Sequence, residues 1–225
     1  MGAVVAQDVI ERLQRLEVST LCDADKTLPV VDPAVRAIVP DVRMTGVART
    51  AVAEDDHLAV ITALQEAAPG DVLVVTTNGH ERAVLGELLA NEARRRGLAG
   101  IVIDGHCRDV TGLRALGLPV FARGPYPASG TAARLGGTGG SIVCGGIEVT
   151  PGDLVTADDD GIVIASAERL AAALEAAEAR AAGEAAMLTG IRSGTAYHDL
   201  ADYAGHVARL GRGEASKLEF PRDGR

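Results

Sequence analysis

The feature that most constrains the fold is a short apolar run that follows a helix-like segment. Apolar spacing after Gly86 predicts a helix that ends at Gly97, and the run 98–103 predicts a strand covered on both faces. The branched, apolar run 72–75 predicts a second buried strand. Strands of this kind, separated by helices, indicate an α/β fold, in which functional sites lie beyond the C-terminal ends of the strands.

Charged residues stand at both ends of this helix–strand unit. Glu87 opens the predicted helix, and Arg108 and Asp109 end the segment 104–109, which predicts a polar loop after the strand. An aspartate in such a loop can bind a hard divalent cation that keeps several waters, and an arginine can hold a carboxylate or a developing enolate. The same pair also fits a local ion pair or a cap of a short helix over 111–116, so both interpretations stay open.

The start of the predicted helix supplies a third element of the candidate site. Backbone amides in a first helical turn form a site for an anion, and a helix–turn–strand connection can return the chain so that Arg108 lies near them. Together these groups suit a 2-oxo acid. Glu87 then faces the site and can orient a metal-bound water, or it is an ordinary first-turn glutamate that complements the helix dipole.

Composition argues against several classes of function. The net charge of −9 disfavours a surface that follows phosphates, so no nucleic-acid partner is expected. The three cysteines, Cys22, Cys107 and Cys144, are too scattered for a disulfide framework or a zinc site. No run approaches the roughly 20 apolar residues that span a bilayer. We therefore expect a protein of the reducing cytoplasm with no membrane partner.

The sequence also argues against a nucleotide cofactor site and against a covalent lysine catalyst. The glycine-rich stretch 136–141 fits neither the dinucleotide nor the P-loop spacing, and it leads into a strand rather than a helix. The sequence has only two lysines, Lys26 and Lys217, so a Schiff-base mechanism is not expected. If carbonyl chemistry occurs, a metal must polarise the carbonyl.

The remaining segments suggest one main domain and an extension. An α/β domain with a helix at each end is predicted over 1–190, followed by a C-terminal extension over 191–225. Further helices are predicted from apolar spacing or alanine content at four places: 6–16, 57–68, 166–187 and 195–210. The segment 123–140, rich in proline and glycine, predicts a loop available for function. The last residues, 211–225, are expected to be mobile or partner-dependent.

These residues resemble a known family. Glu87, twenty intervening positions and then Arg108-Asp109 are similar to the motif of the 4-hydroxy-4-methyl-2-oxoglutarate aldolases and oxaloacetate decarboxylases, which are related to the regulator of ribonuclease activity A proteins. Glu87 is a departure, because the family has aspartate at that motif position. The resemblance covers about 19–190 and includes three further stretches: 86–90, 100–105 and 118–124.

The resemblance implies both an architecture and a set of roles. It implies a single β/β/α swivelling-type domain with flanking N- and C-terminal helices, assembled as homotrimers or hexamers with a site between subunits. It implies that Asp109 ligates Mg²⁺ or Mn²⁺, largely through waters, and that Arg108 contacts the oxo or carboxylate oxygens. Substrate binding is implied for Gly86 and for the amides of Leu88 and Leu89, which bind the pyruvyl carboxylate.

Two functions follow as hypotheses. The first is a divalent-metal-dependent lyase that cleaves a C–C bond of a 4-hydroxy-2-oxo acid and releases pyruvate, with oxaloacetate decarboxylation through the same enolate. Arg108 and Glu87 are its catalytic side chains. The second is a non-catalytic binding protein, similar to the ribonuclease regulators, that works through an acidic surface on a ring-shaped oligomer. The sequence does not identify which oxo acid is used.

Overall fold

A computed structural model describes residues 2–218 of the chain. Residues 219–225, the end of the segment expected to be mobile, lie outside the described part. In chain order the elements are α1 (Gly2–Leu13), α2 (Val18–Ala24), β1 (Arg36–Ala37), β2 (Met44–Val52), α3 (Leu58–Glu66), β3 (Asp71–Thr76), α4 (Glu87–Arg95), β4 (Gly100–Cys107), α5 (Val110–Leu116), β5 (Val120–Pro125), β6 (Ile142–Cys144), β7 (Ile147–Val149), β8 (Leu154–Asp158), β9 (Gly161–Ala165), α6 (Ala167–Arg192) and α7 (Tyr203–Gly211).

A seven-stranded mixed sheet forms the centre of the described chain, in the order β1-β5-β4-β3-β2-β8-β9. Strands β2, β3, β4 and β5 run parallel, whereas β1 and β8 pair antiparallel with β5 and β2, and β9 pairs antiparallel with β8. The outer strands β1 and β9 contact each other, so the sheet curls into a nearly closed barrel. Every residue of β3 is buried, which confirms the predicted strand at 72–75.

Different structures cover the two faces of the sheet. Helices α3, α4 and α5 pack on one face, around a core that includes Leu64, Leu73, Ile101, Ile103 and Leu113. The β6–β7 hairpin covers the other face, over a second core that includes Val74, Val102, Phe121, Cys144 and Val149. This hairpin–sheet–helix layering confirms the predicted α/β class and its β/β/α arrangement.

Helices from the two ends of the chain pack together beside β8 and β9. Helices α1, α2 and α6 share an apolar cluster that includes Leu13, Leu21, Leu154, Leu170 and Leu174. The helices predicted at 6–16 and 166–187 are therefore present, although α6 continues to Arg192. The domain boundary at 190 stays a prediction. Over residues 2–218, no helix has the combination of length and apolarity that a membrane crossing needs.

Three segments differ from the sequence-based prediction. The loop predicted at 123–140 begins only after Pro125, because β5 continues to that residue. The segment 104–107 is not a loop, because β4 continues to Cys107 and a register shift between Ile103 and His106 lets it stay paired with β5. The single helix predicted at 195–210 is also wrong. A 3₁₀ turn at Tyr197–Asp199 is followed by α7, which starts after Asp202, a residue type favoured at helix starts.

Candidate active site

The end of β4 is fastened to the segment that leads into α4. Cys107 forms an isolated parallel bridge with Leu85, and the Arg108 N–H donates to the Leu85 carbonyl at 2.9 Å. Asp109 follows with a φ of 61°, in the left-handed region that few non-glycine residues adopt. The chain therefore turns sharply at Asp109 into α5, and the turn brings the two ends of the helix–strand unit together.

The Asp109 carboxylate closes onto the first turn of α4. Its Oδ2 accepts a hydrogen bond from the Glu87 N–H at 3.1 Å and lies 3.7 Å from Arg108 Nε. The next two amides, those of Leu88 and Leu89, are not needed by the hydrogen-bond ladder of the helix and can bind an anion. The structure thus joins a carboxylate, a guanidinium and a helix N-terminus, as the sequence predicted.

A glycine is needed at position 86 because Asp109 and Arg108 leave no room for a side chain there. A Cβ built at Gly86 would lie 2.5 Å from Asp109 Oδ2 and 3.2 Å from Arg108 Cγ. Its φ of −144° is accessible to any residue, so the backbone does not require glycine. Any side chain at this position would displace Asp109 or Arg108.

A cavity of about 260 Å³ opens beside these groups. Five residues predicted for the site line it: Gly86, Leu88, Leu89, Arg108 and Asp109. The rest of its lining comes from α3, from the segment before α4 and from the loop after β5: His57, Ile61, Ala83, Val84, Leu85 and Ser129. The cavity therefore has one charged end, while most of its wall is aliphatic.

The Glu87 side chain lies elsewhere. A Cβ built at Gly112 would be 2.4 Å from Glu87 Oε2, so the Glu87 carboxylate packs on α5 and is not part of the cavity lining. The backbone N–H of Glu87 is the group that meets Asp109. The catalytic role of the Glu87 side chain stays a prediction.

The donor set at the charged end fits a hard divalent cation. Asp109 is the one carboxylate among the described residues that line the cavity, and nowhere in residues 2–218 do three His, Cys, Asp or Glu side chains converge on a metal position. Mg²⁺ commonly binds one or two carboxylates and keeps several waters, whereas a structural zinc site needs more protein ligands. A single aspartate therefore suits Mg²⁺ or Mn²⁺ with water and substrate oxygens completing the shell.

Residues 18–164 match the family described as RraA-like: Aldolase/RraA. The chain belongs to the RraA-like family. The matched residues include both ends of the helix–strand unit and every predicted site residue of this RraA-like protein, so the geometry above lies within the family's shared part.

Individual relatives carry two kinds of name. A protein of Halalkalibacterium halodurans, named as a candidate 4-hydroxy-4-methyl-2-oxoglutarate aldolase, is 35% identical over 159 residues, which are 70% of this chain and 76% of that protein. The structure of Streptomyces coelicolor RraAS2, described as an unusual member of the RNase ES inhibitor RraA protein family, has 30% identity and a TM-score of 0.71 and covers 82% of this chain and 98% of that chain. An uncharacterized protein from Pseudomonas syringae pv. tomato has 26% identity and a TM-score of 0.76, over 86% and 96%.

In this RraA-like protein, a buried aspartate holds the loop predicted at 123–140. Asp56 Oδ2 accepts hydrogen bonds from Thr131 Oγ1 (2.6 Å) and from the N–H groups of Ala133 (2.7 Å) and Arg134 (3.0 Å). These hydrogen bonds, of which the one from Thr131 has the largest effect, hold the pKa of the Asp56 carboxyl far below its usual range. The loop is therefore tied to the start of α3, beside the cavity.

The preceding aspartate, Asp55, contacts the segment that leads toward α4. Asp55 accepts hydrogen bonds from the Arg82 N–H (3.1 Å) and pairs with His80 Nδ1 (3.0 Å), and the His80 contact is the main reason that the pKa of the Asp55 carboxyl is lowered. Acidic residues just before a predicted helix are a helix-start signal that could have drawn attention to this pair. No local pattern identifies His57 or Ser129 as cavity residues, because the loops meet only in the folded chain.

Proposed function

We propose that this protein is a divalent-metal-dependent lyase that cleaves a C–C bond of a 4-hydroxy-2-oxo acid and releases pyruvate. The observation that carries the proposal is the meeting of Asp109, Arg108 and the first-turn amides of α4 at one end of a cavity. These groups match the cation, the oxo oxygen and the carboxylate of a 2-oxo acid complex. The name of the H. halodurans relative supports the same reaction class.

The first turn of α4 and Arg108 would bind the substrate. The N–H groups of Leu88 and Leu89 would donate to the substrate carboxylate, where the helix dipole favours negative charge. Arg108 would donate to the 2-oxo oxygen, and its charge would stabilise the enolate that forms on cleavage. The absence of a side chain at Gly86 leaves these groups close together.

Asp109 would hold the divalent cation, Mg²⁺ or Mn²⁺. When bound, such a cation polarises the 2-oxo group and favours negative charge on its oxygen. The hydrogen bond from the Glu87 N–H would keep the Asp109 carboxylate in place. We propose that the Glu87 side chain orients a metal-bound water. This role requires the side chain to rotate away from Gly112.

Oxaloacetate decarboxylation is proposed as a second activity of the same site. In both reactions a bond to C3 breaks, its electron pair stays in the pyruvate enolate, and a proton then adds to C3. The leaving group is a carbonyl compound in aldol cleavage and carbon dioxide in decarboxylation. One arrangement of charges around the enolate therefore serves both.

The test is an assay of pyruvate release from 4-hydroxy-2-oxo acids and oxaloacetate. Activity is expected with Mg²⁺ or Mn²⁺, is lost with EDTA and returns when the metal is restored. Asp109→Ala should abolish it, whereas Asp41→Ala should not, although Asp41 has a similar left-handed φ of 58°. An Asp109→Ala variant that still cleaves these acids with Mg²⁺ present would overturn the proposal.

Assembly into a homotrimer or hexamer is part of the proposal. Leu88, at the cavity, and Leu135, in the loop after β5, are 85% and 90% exposed in the single chain, which is unusual for large apolar side chains. Their coverage by a neighbouring subunit would place the cavity at an interface. Light scattering that finds a monomer would contradict an intersubunit site.

A second candidate is a non-catalytic regulator of a ribonuclease. The description of RraAS2 as a member of an RNase inhibitor family and the net charge of −9 favour it. Such a protein would inhibit a ribonuclease of the kind named for that relative. It would not catalyse pyruvate release from any oxo acid. The assay above and a ribonuclease inhibition assay therefore separate the two functions.

A further inference from the structure

The ring of His57 differs from the other histidine rings of the chain in having no partner within residues 2–218. It makes no hydrogen bond, ion pair or ring contact with the described residues. The other four rings each meet a side chain of the same chain: His80 meets Asp55, His106 meets Tyr126, His198 meets Asp199 and His206 meets Ser216. The two ring nitrogens of His57 are therefore available to a ligand.

Backbone hydrogen bonds fix the position of His57 at the start of α3. The His57 N–H donates to the Thr131 carbonyl at 2.8 Å, and the carboxylate of the preceding Asp56 accepts the Leu58 N–H at 2.9 Å. The His57 side chain itself makes no cap hydrogen bond to the helix. The backbone therefore places the ring, and replacing the ring removes no hydrogen bond that holds α3.

His57 shares the cavity with the charged end of the candidate site. His57, Arg108 and Asp109 all line it, and all three belong to the same chain, so a neighbouring subunit can add groups to the site without replacing these. In the proposed lyase Asp109 holds the cation, and the Arg108 guanidinium stays protonated, so neither takes a proton from the substrate. Histidine is the side chain that most often accepts a proton in catalysis near neutral pH.

We infer that His57 is the general base that removes the proton of the C4 hydroxyl during aldol cleavage. This inference rests on the proposed lyase activity. The hydroxyl proton passes to a ring nitrogen of His57, the C4–O bond becomes a carbonyl, and the C3–C4 bond breaks with its electron pair left in the pyruvate enolate. C3 then takes a proton from water, and His57 gives its proton back to water. The products are pyruvate and an aldehyde or ketone.

A second reaction forms the same enolate without a C4 hydroxyl, and it separates this step from the rest of catalysis. An enzyme that forms the pyruvate enolate exchanges the methyl protons of pyruvate with deuterium in D₂O. This exchange uses Arg108, Asp109 and the cation, but it has no hydroxyl proton to remove. Loss of the base should therefore slow aldol cleavage and leave the exchange unchanged.

His57→Asn tests the assignment, because asparagine is polar and favoured at helix starts but does not act as a base. With Mg²⁺ present, kcat for the 4-hydroxy-2-oxo acid that the wild type cleaves fastest should fall about 100-fold. Exchange of the pyruvate methyl protons, followed by NMR, should stay within about twofold of the wild-type rate. His80→Asn is the control, because His80 lines a separate cavity, and its two rates should keep the wild-type ratio.

The outcomes distinguish the two proposals. Cleavage by His57→Asn at the wild-type rate would overturn the inference and leave the lyase intact. Equal loss of cleavage and exchange in the folded variant would also overturn it, because His57 would then act on the enolate or on binding rather than on the C4 hydroxyl. A wild type that neither cleaves an oxo acid nor exchanges pyruvate protons would overturn the lyase and the inference together.

Discussion

Two aspartates, one within β4 and one just beyond its end, each lie near an arginine and have opposite surroundings. Asp104 lies within β4 under the hairpin, where it accepts hydrogen bonds from Arg123 Nε and from the Gly145 N–H (2.7 Å), and its side chain is 15% exposed. Asp109 lies beyond the end of β4 and is 44% exposed. Among the described residues it accepts one hydrogen bond, from the Glu87 N–H, and Arg108 Nε is 3.7 Å away.

The two carboxylates differ in how many of their acceptor positions are occupied. An ionised carboxylate has about four acceptor positions, and those of Asp104 are directed to a guanidinium and an amide that join β4 to the hairpin. Asp104 therefore stabilises the fold. Asp109 has acceptor positions left and is reached from a cavity, so it can take a cation. Four predictions test this contrast, from the largest expected effect to the smallest.

The largest effect is expected from Asp109→Asn. Pyruvate release should fall by about 10²- to 10³-fold, because the neutral amide no longer balances the charge of a cation. Asparagine tolerates the left-handed φ of 61° and can still accept the Glu87 N–H, so the free energy of unfolding should not change. Steady-state kinetics with Mg²⁺ and urea unfolding measure the two quantities. A large loss of stability would show that Asp109, like Asp104, is structural.

Asp104→Ala should give the opposite result. It leaves the Gly145 N–H without its acceptor and, among the described residues, leaves the Arg123 guanidinium with Asp32 Oδ2 alone, at 3.4 Å, so the free energy of unfolding should fall by about 2 kcal/mol. The kcat of the folded protein should stay close to that of the wild type. Glu148→Ala, at an exposed position of the same hairpin, is the control and should unfold like the wild type. Selective loss of kcat in Asp104→Ala would place Asp104 in the catalytic machinery.

Gly86→Ala tests the contrast by disturbing only the pair at the cavity, Arg108 and Asp109. The added methyl group would lie 2.5 Å from Asp109 Oδ2, so kcat/KM should fall about tenfold through displacement of Asp109 or Arg108. Gly183→Ala, in α6, meets nothing within 4 Å and should leave kcat/KM unchanged. Wild-type activity in Gly86→Ala would mean that the positions of Arg108 and Asp109 are not critical for activity.

The smallest effect concerns pH, and it extends the comparison to Asp56, a third, fully satisfied carboxylate. Because its pKa is lowered in the fold, its contribution to stability is complete above the usual aspartate pKa of about 3.9 and is lost as pH falls toward the lower value. The difference in urea midpoint between the wild type and Asp56→Asn should therefore be constant from about pH 7 to 5 and shrink below about pH 4. A difference that grows in acid would contradict this assignment.

Much of the fold follows from local patterns in the sequence. The runs 72–75 and 98–103 predict buried strands correctly, because a strand covered on both faces must be apolar throughout. The end of β4 does not follow, since 104–107 is polar enough to resemble a loop and stays in the sheet through its pairing with β3 and β5. The helix predicted at 195–210 is interrupted for a related reason, because apolar spacing alone does not show where a helix restarts.

The sequence by itself determined the chemical groups of the candidate site and their order. The spacing from Glu87 to Arg108 and Asp109 spans one helix and one strand, and such a unit returns the chain to its starting point. Only the tertiary structure decided which groups remain free. Asp104 is satisfied by Gly145, 41 positions away, whereas Asp109 meets a single backbone amide at the edge of a cavity. Hydrogen-bond partners so distant in sequence leave no local pattern, and for that reason the aspartate within β4 and the one beyond its end could be told apart only in the folded chain.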